Sequence, residues 1–206
     1  KELTPGAGGA GREEERIAIA VNADSIATWA LDALGELARQ GLALEIITDD
    51  QDFTHEWLRS GQVLGCVTTL KQPLRGCRVV PLGAMSYVAV AAAAHLDALL
   101  PRGLGPHTFS DVPFIAFNRK DDMQAEFVSK AFGLKRVTLH QMFVPSSEAQ
   151  VRAVLAGWGA SVLPELLVRD ALAQGRLVNL LPGRQLPVEL YWHCWNLESD
   201  VLDALT

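Results

Sequence analysis

Two short polar phrases stand where helices are predicted to begin, and both carry groups that bind charged ligands. They are "NADS" (22–25), with Asn22, Asp24 and Ser25, and "PSSE" (145–148), with Ser146 and Ser147. A hydroxyl or carboxylate at such a position caps its helix, and the amides of a helix N-terminus bind anions such as a ligand's carboxylate. The sequence leaves both interpretations open. Because the phrases occupy matching places in two similar units, two helix N-termini are expected to face one cleft.

Carboxylates are concentrated at the same predicted strand ends. They are Asp24, Asp49, Asp50, Asp52, Asp121, Asp122 and Glu148. Each by itself is typical of a solvated loop, but as a set they make a cleft attractive to a cation. A dipolar ligand such as lysine or arginine suits both features, since its carboxylate would meet helix N-termini and its ammonium groups would meet the acids. Other polar strand ends hold Thr68, Thr69 and the phrase "FNRKDD" (117–122).

Covalent catalysis, metal binding and nucleotide binding are not indicated. A nucleophilic Ser146 would need a nearby base, and the Gly-x-Ser-x-Gly turn is absent. The five histidines lack metal-ligand spacing, and no glycine-rich phosphate loop occurs. His193 lies in the apolar run "YWHCW" and is predicted to be a core or hinge residue. The sequence therefore predicts no enzyme, no catalytic residue, no metal and no cofactor.

The bulk composition is typical of a soluble globular protein. Of the 206 residues, 49% are hydrophobic and 20% are charged, and no apolar run reaches the about 18 residues of a membrane helix. A net charge of −6 with scattered basic residues disfavours nucleic-acid binding by this chain itself. Cys66, Cys77 and Cys194 show no paired spacing, which predicts buried reduced thiols. The polar start lacks a secretory signal, which favours the cytoplasm.

Strand and helix patterns alternate through two units of similar make. Residues 1–16 are polar and Gly-rich and are predicted to be a linker. In the first unit Asp24 or Ser25 is expected to cap the first helix, and Gly41 to end it. The alternation of strands and helices predicts right-handed crossovers and a parallel sheet. The predicted elements of this unit are strands at 17–21, 42–49 and 63–69, and helices from about 24 and about 52.

The pattern then restarts, which predicts an α/β fold of two lobes. The phrases "CRVVPLG" (77–83) and "MSYVAVAA" (85–92) are predicted to be two strands. Later strands are expected at 113–118, 136–144 and 188–196, and later helices at 122–133 and 146–159. We expect the last strand to cross back to the first unit, which makes a two-strand hinge. The predicted lobes are 17–88 plus 186–206, and 89–185.

The chain resembles the effector-binding domain of LysR-type transcriptional regulators, and within them the ArgP group, which controls lysine and arginine export and related genes. The resemblance extends over about residues 17–206. It rests on "AVNADSIATW", "LRSGQVLGCVT", "GCRVVPLGAMSY", "DDM", "SSEAQVRAVLAGWGASVLPELLV" and "LYWHCW". The serine-helix-glycine-proline phrase marks the superfamily generally, whereas "NADS", "ATW" and "YWH" point to the narrower group.

The resemblance implies two Rossmann-like lobes, like those of type 2 periplasmic binding proteins, with an effector in the cleft between them. It implies effector contacts from Asn22, Asp24, Ser25, Thr68, Thr69, Phe117, Asp121, Asp122, Ser146 and Ser147. The effector it implies is a basic amino acid. One departure is "FNRKDDM", where Arg119 and Lys120 add positive charge beside the acids of the cleft.

The resemblance also implies how such a domain works. Regulators of this family carry an N-terminal winged helix-turn-helix that this chain lacks, so DNA binding is expected of a longer parent protein. The effector would shift the population between two hinge angles, and copies would pair into a homodimer or homotetramer with no membrane attachment. The alternative is a periplasmic-type solute-binding protein for an amino acid, which would need an export signal.

Overall fold

The computed structural model describes residues 16–49 and 54–206. Most of the predicted linker lies outside the described residues, as do Asp50, Asp52 and the predicted start of a helix at residue 52. Among the described residues, none of the helices combines the length and the hydropathy that a membrane span requires.

The first lobe begins with three parallel strands, as the apolar runs predict. Its elements are β1 (Ile17–Ala20), α1 (Ala23–Ser25), a π-helical turn (Ile26–Ala30), α2 (Leu31–Arg39), β2 (Leu44–Ile47), α3 (Thr54–Arg59) and β3 (Gly65–Thr68). Strand β1 pairs with both β2 and β3. The prediction that Asp24 or Ser25 caps the first helix is wrong. The helix starts at Ala23, because Asn22 occupies the cap position and the side chains of Asp24 and Ser25 fall inside the first turn.

The second lobe repeats the alternation. Its elements are α4 (Leu96–Leu99), β5 (Pro113–Ala116), α5 (Met123–Phe132), β6 (His140–Phe143), α6 (Ser147–Leu155), β7 (Ser161–Pro164), α7 (Glu165–Ala173) and β8 (Leu177–Asn179). The strand predicted over 136–144 is shorter than expected. Its first residue, His140, pairs with Pro113, where β5 begins, so the residues before His140 have no strand beside them in this ladder.

Two long strands run between the lobes and form the hinge. They are β4 (Cys77–Ala92) and β9 (Leu186–Trp195), which pair with each other in antiparallel fashion. The prediction of two separate strands over 77–92 is wrong, because the chain continues through an irregularity between Pro81 and Gly83. Gly83 absorbs the bend with φ of 101°, a conformation that other residues rarely adopt.

The sheet is mixed, so the prediction of a parallel sheet holds for only part of the fold. The order β2-β1-β3-β9-β4-β7 places antiparallel pairs wherever β4 or β9 takes part. The physical reason is that the chain passes between lobes along strands rather than through helices. Strand β9 joins β3 of the first lobe, and helix α8 (Asp200–Leu205) follows it. The lobe boundaries at 88/89 and 185/186 stay predictions.

Apolar residues fill both lobes. Leu58 of α3 is buried with Ala20 and Cys66 in the first lobe, and Ile115, Leu163 and Val168 share a core in the second. His193 is fully buried, as predicted for a core residue. The three cysteines are free; Cys66 and Cys194 are buried as expected, whereas Cys77 is half-buried because it lies at the end of β4.

Candidate functional site

The starts of α1 and α6 meet across the cleft between the lobes. Ser147 Oγ donates a hydrogen bond of 2.6 Å to Asp24 Oδ1, although the two residues are 123 positions apart in the chain. Both helices follow the carboxyl end of a parallel strand, which is where α/β sheets gather helix N-termini. The two phrases singled out in the sequence are therefore brought together.

The hinge also contacts this pair. Tyr87 Oη donates a hydrogen bond of 2.5 Å to Asp24 Oδ2. Tyr87 lies on β4 where that strand pairs with Leu186 of β9 on one side and with Pro164 of β7 on the other. One carboxylate therefore joins the first lobe, the second lobe and the crossing strand.

The electrostatics of Asp24 follow from this enclosure. Burial raises the pKa of the Asp24 carboxyl above its ordinary value, and the nearby charge of Asp121 acts in the same direction. The hydrogen bonds from Ser147 and Tyr87 oppose the rise of this pKa because they stabilise the ionised form. The net effect is a raised pKa, which means that the ionised carboxylate of Asp24 is disfavoured in the cleft. A cation placed beside Asp24 would stabilise this ionised form.

The space around Asp24 is small in this arrangement. A cavity of about 30 Å³ lies between the lobes, which is room for one or two water molecules and not for an amino acid. Its walls are Asn22, Ala23, Asp24, Tyr87, Phe117, Asp121, Met123, Gln150, Val162 and Leu163. Admission of a larger ligand therefore requires the lobes to separate.

A larger acidic groove continues from this cavity on one side, and the two share Asp121 and Met123. The acidic groove has a volume of about 510 Å³. Its charged and hydroxyl-bearing walls are Thr69, Lys71, Asp121, Asp122, Glu126, Glu189 and Tyr191. Four carboxylates against one ammonium give the groove a negative balance that attracts cations.

The opposite mouth of the cleft is mainly apolar. This pocket of about 210 Å³ is lined by Ile26, Ala27, Phe117 and Pro145, among others. Ser146 lies at this mouth, where its side chain accepts a hydrogen bond of 3.2 Å from the amide of Ala149 and so caps α6. The two adjacent serines thus differ, since Ser147 contacts the other lobe and Ser146 caps its own helix.

The other predicted residues of the first lobe divide between the cleft and the interior. Asn22 is buried and lines the cavity, and Thr69 lines the acidic groove. Ser25 and Thr68 are buried but line none of these three spaces. The Thr68 hydroxyl accepts a bond of 3.3 Å from the amide of Leu70, which is a role in a turn.

In the second lobe, Asp121 organises the loop ahead of α5. Its carboxylate accepts hydrogen bonds of 2.9 Å from the amides of Phe117 and Met123. This closure places Phe117 at both the cavity and the apolar mouth, and it places Asp122 in the acidic groove. Arg119 instead packs over the ring of Phe143, 5.6 Å from its centre, and lines none of the three spaces.

Comparison with known proteins identifies the family. The chain matches the LysR substrate binding domain over residues 10–201. It belongs to that family. It is 42% identical over 184 residues to the HTH-type transcriptional regulator ArgP of Aeromonas salmonicida, a match that covers 89% of the chain and 62% of that relative. The chain spans less than two thirds of the length of the curated relatives it matches.

Solved structures of related proteins have the same fold as this LysR substrate binding domain. The C-terminal domains of a LysR family protein from Agrobacterium tumefaciens str. C58 match with a TM-score of 0.86, 40% identity and coverage of 92% of both chains. Full-length LysG from Corynebacterium glutamicum with bound effector Arg matches with a TM-score of 0.81 and 32% identity, over 92% of this chain and 65% of that one. The predicted family and the two-lobed fold are confirmed.

Several polar residues of the cleft in this LysR substrate binding domain were not predicted from the sequence. They are Lys71, Tyr87, Glu126, Gln150, Glu189 and Tyr191. A phenol in the mainly apolar strand "MSYVAVAA" was the available signal for Tyr87, whereas Gln150 and Glu189 gave none. In the described part of the chain, no group of three or more His, Cys, Asp or Glu side chains is arranged to hold a metal ion.

Proposed function

We propose that this LysR substrate binding domain senses a basic amino acid, lysine or arginine, between its lobes. The observation that carries the proposal is the apposition of Asp24 and the start of α6 through Ser147. A carboxylate opposite a helix N-terminus offers complementary partners for the ammonium and the carboxylate of one amino acid. The Arg effector bound to the related LysG of Corynebacterium glutamicum supports the assignment.

In the proposed complex, the carboxylate of the amino acid binds Ser147 Oγ and the first amides of α6, which intrahelical bonds leave available. Its α-ammonium binds Asp24. Its cationic side chain extends into the acidic groove toward Glu126 and Glu189, past Asp121. Lys71 in the wall of that groove offsets part of the charge of the four carboxylates, and the negative balance that remains favours one cationic side chain.

Calorimetry with L-lysine, L-arginine and L-histidine tests the assignment. We expect heat of binding from lysine or arginine, and we expect Asp24→Ala combined with Ser147→Ala to abolish it without unfolding the domain. L-leucine is the matched control because it has the same head group without the distal charge. Flat traces for all three basic amino acids would rule out this class of effector.

We propose further that the domain acts within a longer transcriptional regulator in the cytoplasm. The effector would favour one hinge angle and so change how the parent protein's DNA-binding arms are spaced on DNA. Genes of amino-acid export or metabolism are the expected targets. Measurement of operator binding by the full-length parent with and without L-arginine tests this, and identical affinities and footprints would contradict it.

We propose that two copies of the domain pair through a surface to which both lobes contribute residues. An apolar groove of about 240 Å³ lies there, lined by Trp29, Leu82, Met85, Leu166 and Leu190 among others. Leu82 and Leu166 are 41% and 46% exposed, which is unfavourable for leucines that stay in water. A second copy of the chain is the occupant we propose, as homodimer or homotetramer.

A further inference from the structure

We infer that Asp24 is an internal substitute for the effector: its carboxylate occupies the start of α6 and holds the lobes together until an effector displaces it. The identity of the effector rests on the proposed function, but the contact itself does not. The contact is a direct bond of 2.6 Å between residues of different lobes.

The chemistry of the contact supports the substitution. Helix α6 has nine residues, and its N-terminus attracts a carboxylate whether that group belongs to a ligand or to the protein. Ser147 is buried and directs its hydroxyl at Asp24, so its side chain serves the cleft and not the cap of α6, which Ser146 provides.

The cavity shows that the two occupants exclude each other. With Asp24 bonded to Ser147, about 30 Å³ remains in the cavity beside Asp24, so the head group of an amino acid enters that cavity only after this bond breaks. Once released, the same carboxylate is available to the ammonium of the ligand. Asp24 therefore has two roles in sequence, first as a latch and then as a contact of the effector.

Tyr87 holds the latch from the hinge side. Its bond of 2.5 Å to the second oxygen of Asp24 keeps the carboxylate directed at α6. The apparent affinity of a ligand is lowered by the same factor as the fraction of molecules in the state that binds it. A stronger latch therefore means a weaker apparent affinity, and removal of the Tyr87 hydroxyl is expected to have the opposite effect.

The first test uses the protein without any amino acid. Amide hydrogen exchange of α1 and α6 and the radius of gyration by X-ray scattering are measured for the wild type, Asp24→Ala, Ser147→Ala and the double variant. Loss of one cross-lobe bond is expected to speed exchange at both helix starts by about tenfold. The double variant should show no more than Asp24→Ala alone, because Asp24→Ala already removes the bond that Ser147→Ala removes, together with the bond from Tyr87.

Ser146→Ala is the matched control, since it removes the neighbouring hydroxyl and the helix cap but no contact between the lobes. It should speed exchange at the start of α6 alone. Wild-type exchange at α1 in Ser147→Ala, or equal effects of Ser146→Ala and Ser147→Ala there, would refute the latch.

The second test measures the affinity of Tyr87→Phe for L-arginine by calorimetry. We expect binding about threefold to tenfold tighter than in the wild type, because Asp24 is released more easily and both proposed contacts remain. Unchanged or weaker binding contradicts the latch. If the wild type binds none of the amino acids while Ser147→Ala still opens the lobes, the proposed ligand is wrong and the latch stands.

Discussion

The Ser147 hydroxyl of the second lobe donates a hydrogen bond to the Asp24 carboxylate of the first lobe, with 2.6 Å between Oγ and Oδ1. This bond connects two helix N-termini that the chain places 123 residues apart. Because Tyr87 of the crossing strand bonds the other carboxylate oxygen, the position of the lobes and the position of the hinge are linked through one side chain.

The charge of Asp24 is expected to reduce stability at neutral pH. Its folded-state pKa is raised by burial above the ordinary value of 3.8. The contribution of Asp24 to the free energy of unfolding is therefore fully present below pH 3.8. It is lost as the pH rises through the higher pKa of the folded state. Asp24→Asn removes the charge, so its stability relative to the wild type should be greater at pH 7 than at pH 4.

Urea denaturation at the two pH values measures this difference for Asp24→Asn. Asp32→Asn on the exposed side of α2 is the control, since it removes a carboxylate that lies outside the cleft. A stability difference for Asp24→Asn that is the same at pH 4 and pH 7 would show that burial does not disfavour the ionised form.

Mild acid is expected to destabilise the first lobe through His193. Burial lowers the pKa of this imidazole below 6.5, while its bond to the carbonyl of Leu70 opposes the change and the proximity of His55 adds to it. The unfolded chain therefore takes up the proton first, and stability falls as the pH drops below 6.5.

Unfolding midpoints between pH 7.5 and pH 5 check this prediction. His193→Gln keeps an amide donor for Leu70 but cannot be protonated, so its stability should depend less steeply on pH than that of the wild type. His140→Gln, at an exposed position of β6, should keep the wild-type slope. Equal slopes for the wild type and His193→Gln would contradict the assignment.

Replacement of Gln124 is expected to destabilise the second lobe. Its side-chain amide donates to the carbonyl of Val162 at 3.1 Å and accepts from the amide of Val162 at 2.7 Å, with all partners buried. Gln124→Leu leaves both backbone groups of β7 unpaired, at a cost of about 1–3 kcal/mol for each. Chemical denaturation measures the loss, and the exposed Gln174→Leu, which should cost much less, is the comparison.

Self-association is expected to depend on Leu166. A glutamate there would place a charge in the apolar groove between the lobes, so Leu166→Glu should shift the domain toward monomer in sedimentation velocity experiments. Leu197→Glu alters an even more exposed leucine, at 61%, that does not line this groove. If both variants associate like the wild type, the pairing surface lies elsewhere.

The sequence by itself predicted most of the elements and a candidate site. Alternating apolar runs and amphipathic segments predicted the strands and helices, because hydrophobic period is a local property that burial on one face or both faces imposes. The serines at the start of α6 and the acids after the strands were recognisable because helix starts and strand ends have local signatures. The restart of the strand-helix pattern predicted two lobes, and the family phrases implied the same fold.

Tertiary structure decided which of these groups meet. Whether Ser146 or Ser147 crosses the cleft depends on the rotation of α6 against the first lobe, which no local pattern encodes. Tyr87 and Glu189 became part of the site because β4 and β9 run as long strands between the lobes, whereas the sequence predicted two strands divided at Ala84 in place of β4. Contacts across 123 residues are set by how two cores pack against one hinge, and that packing is a property of the whole chain.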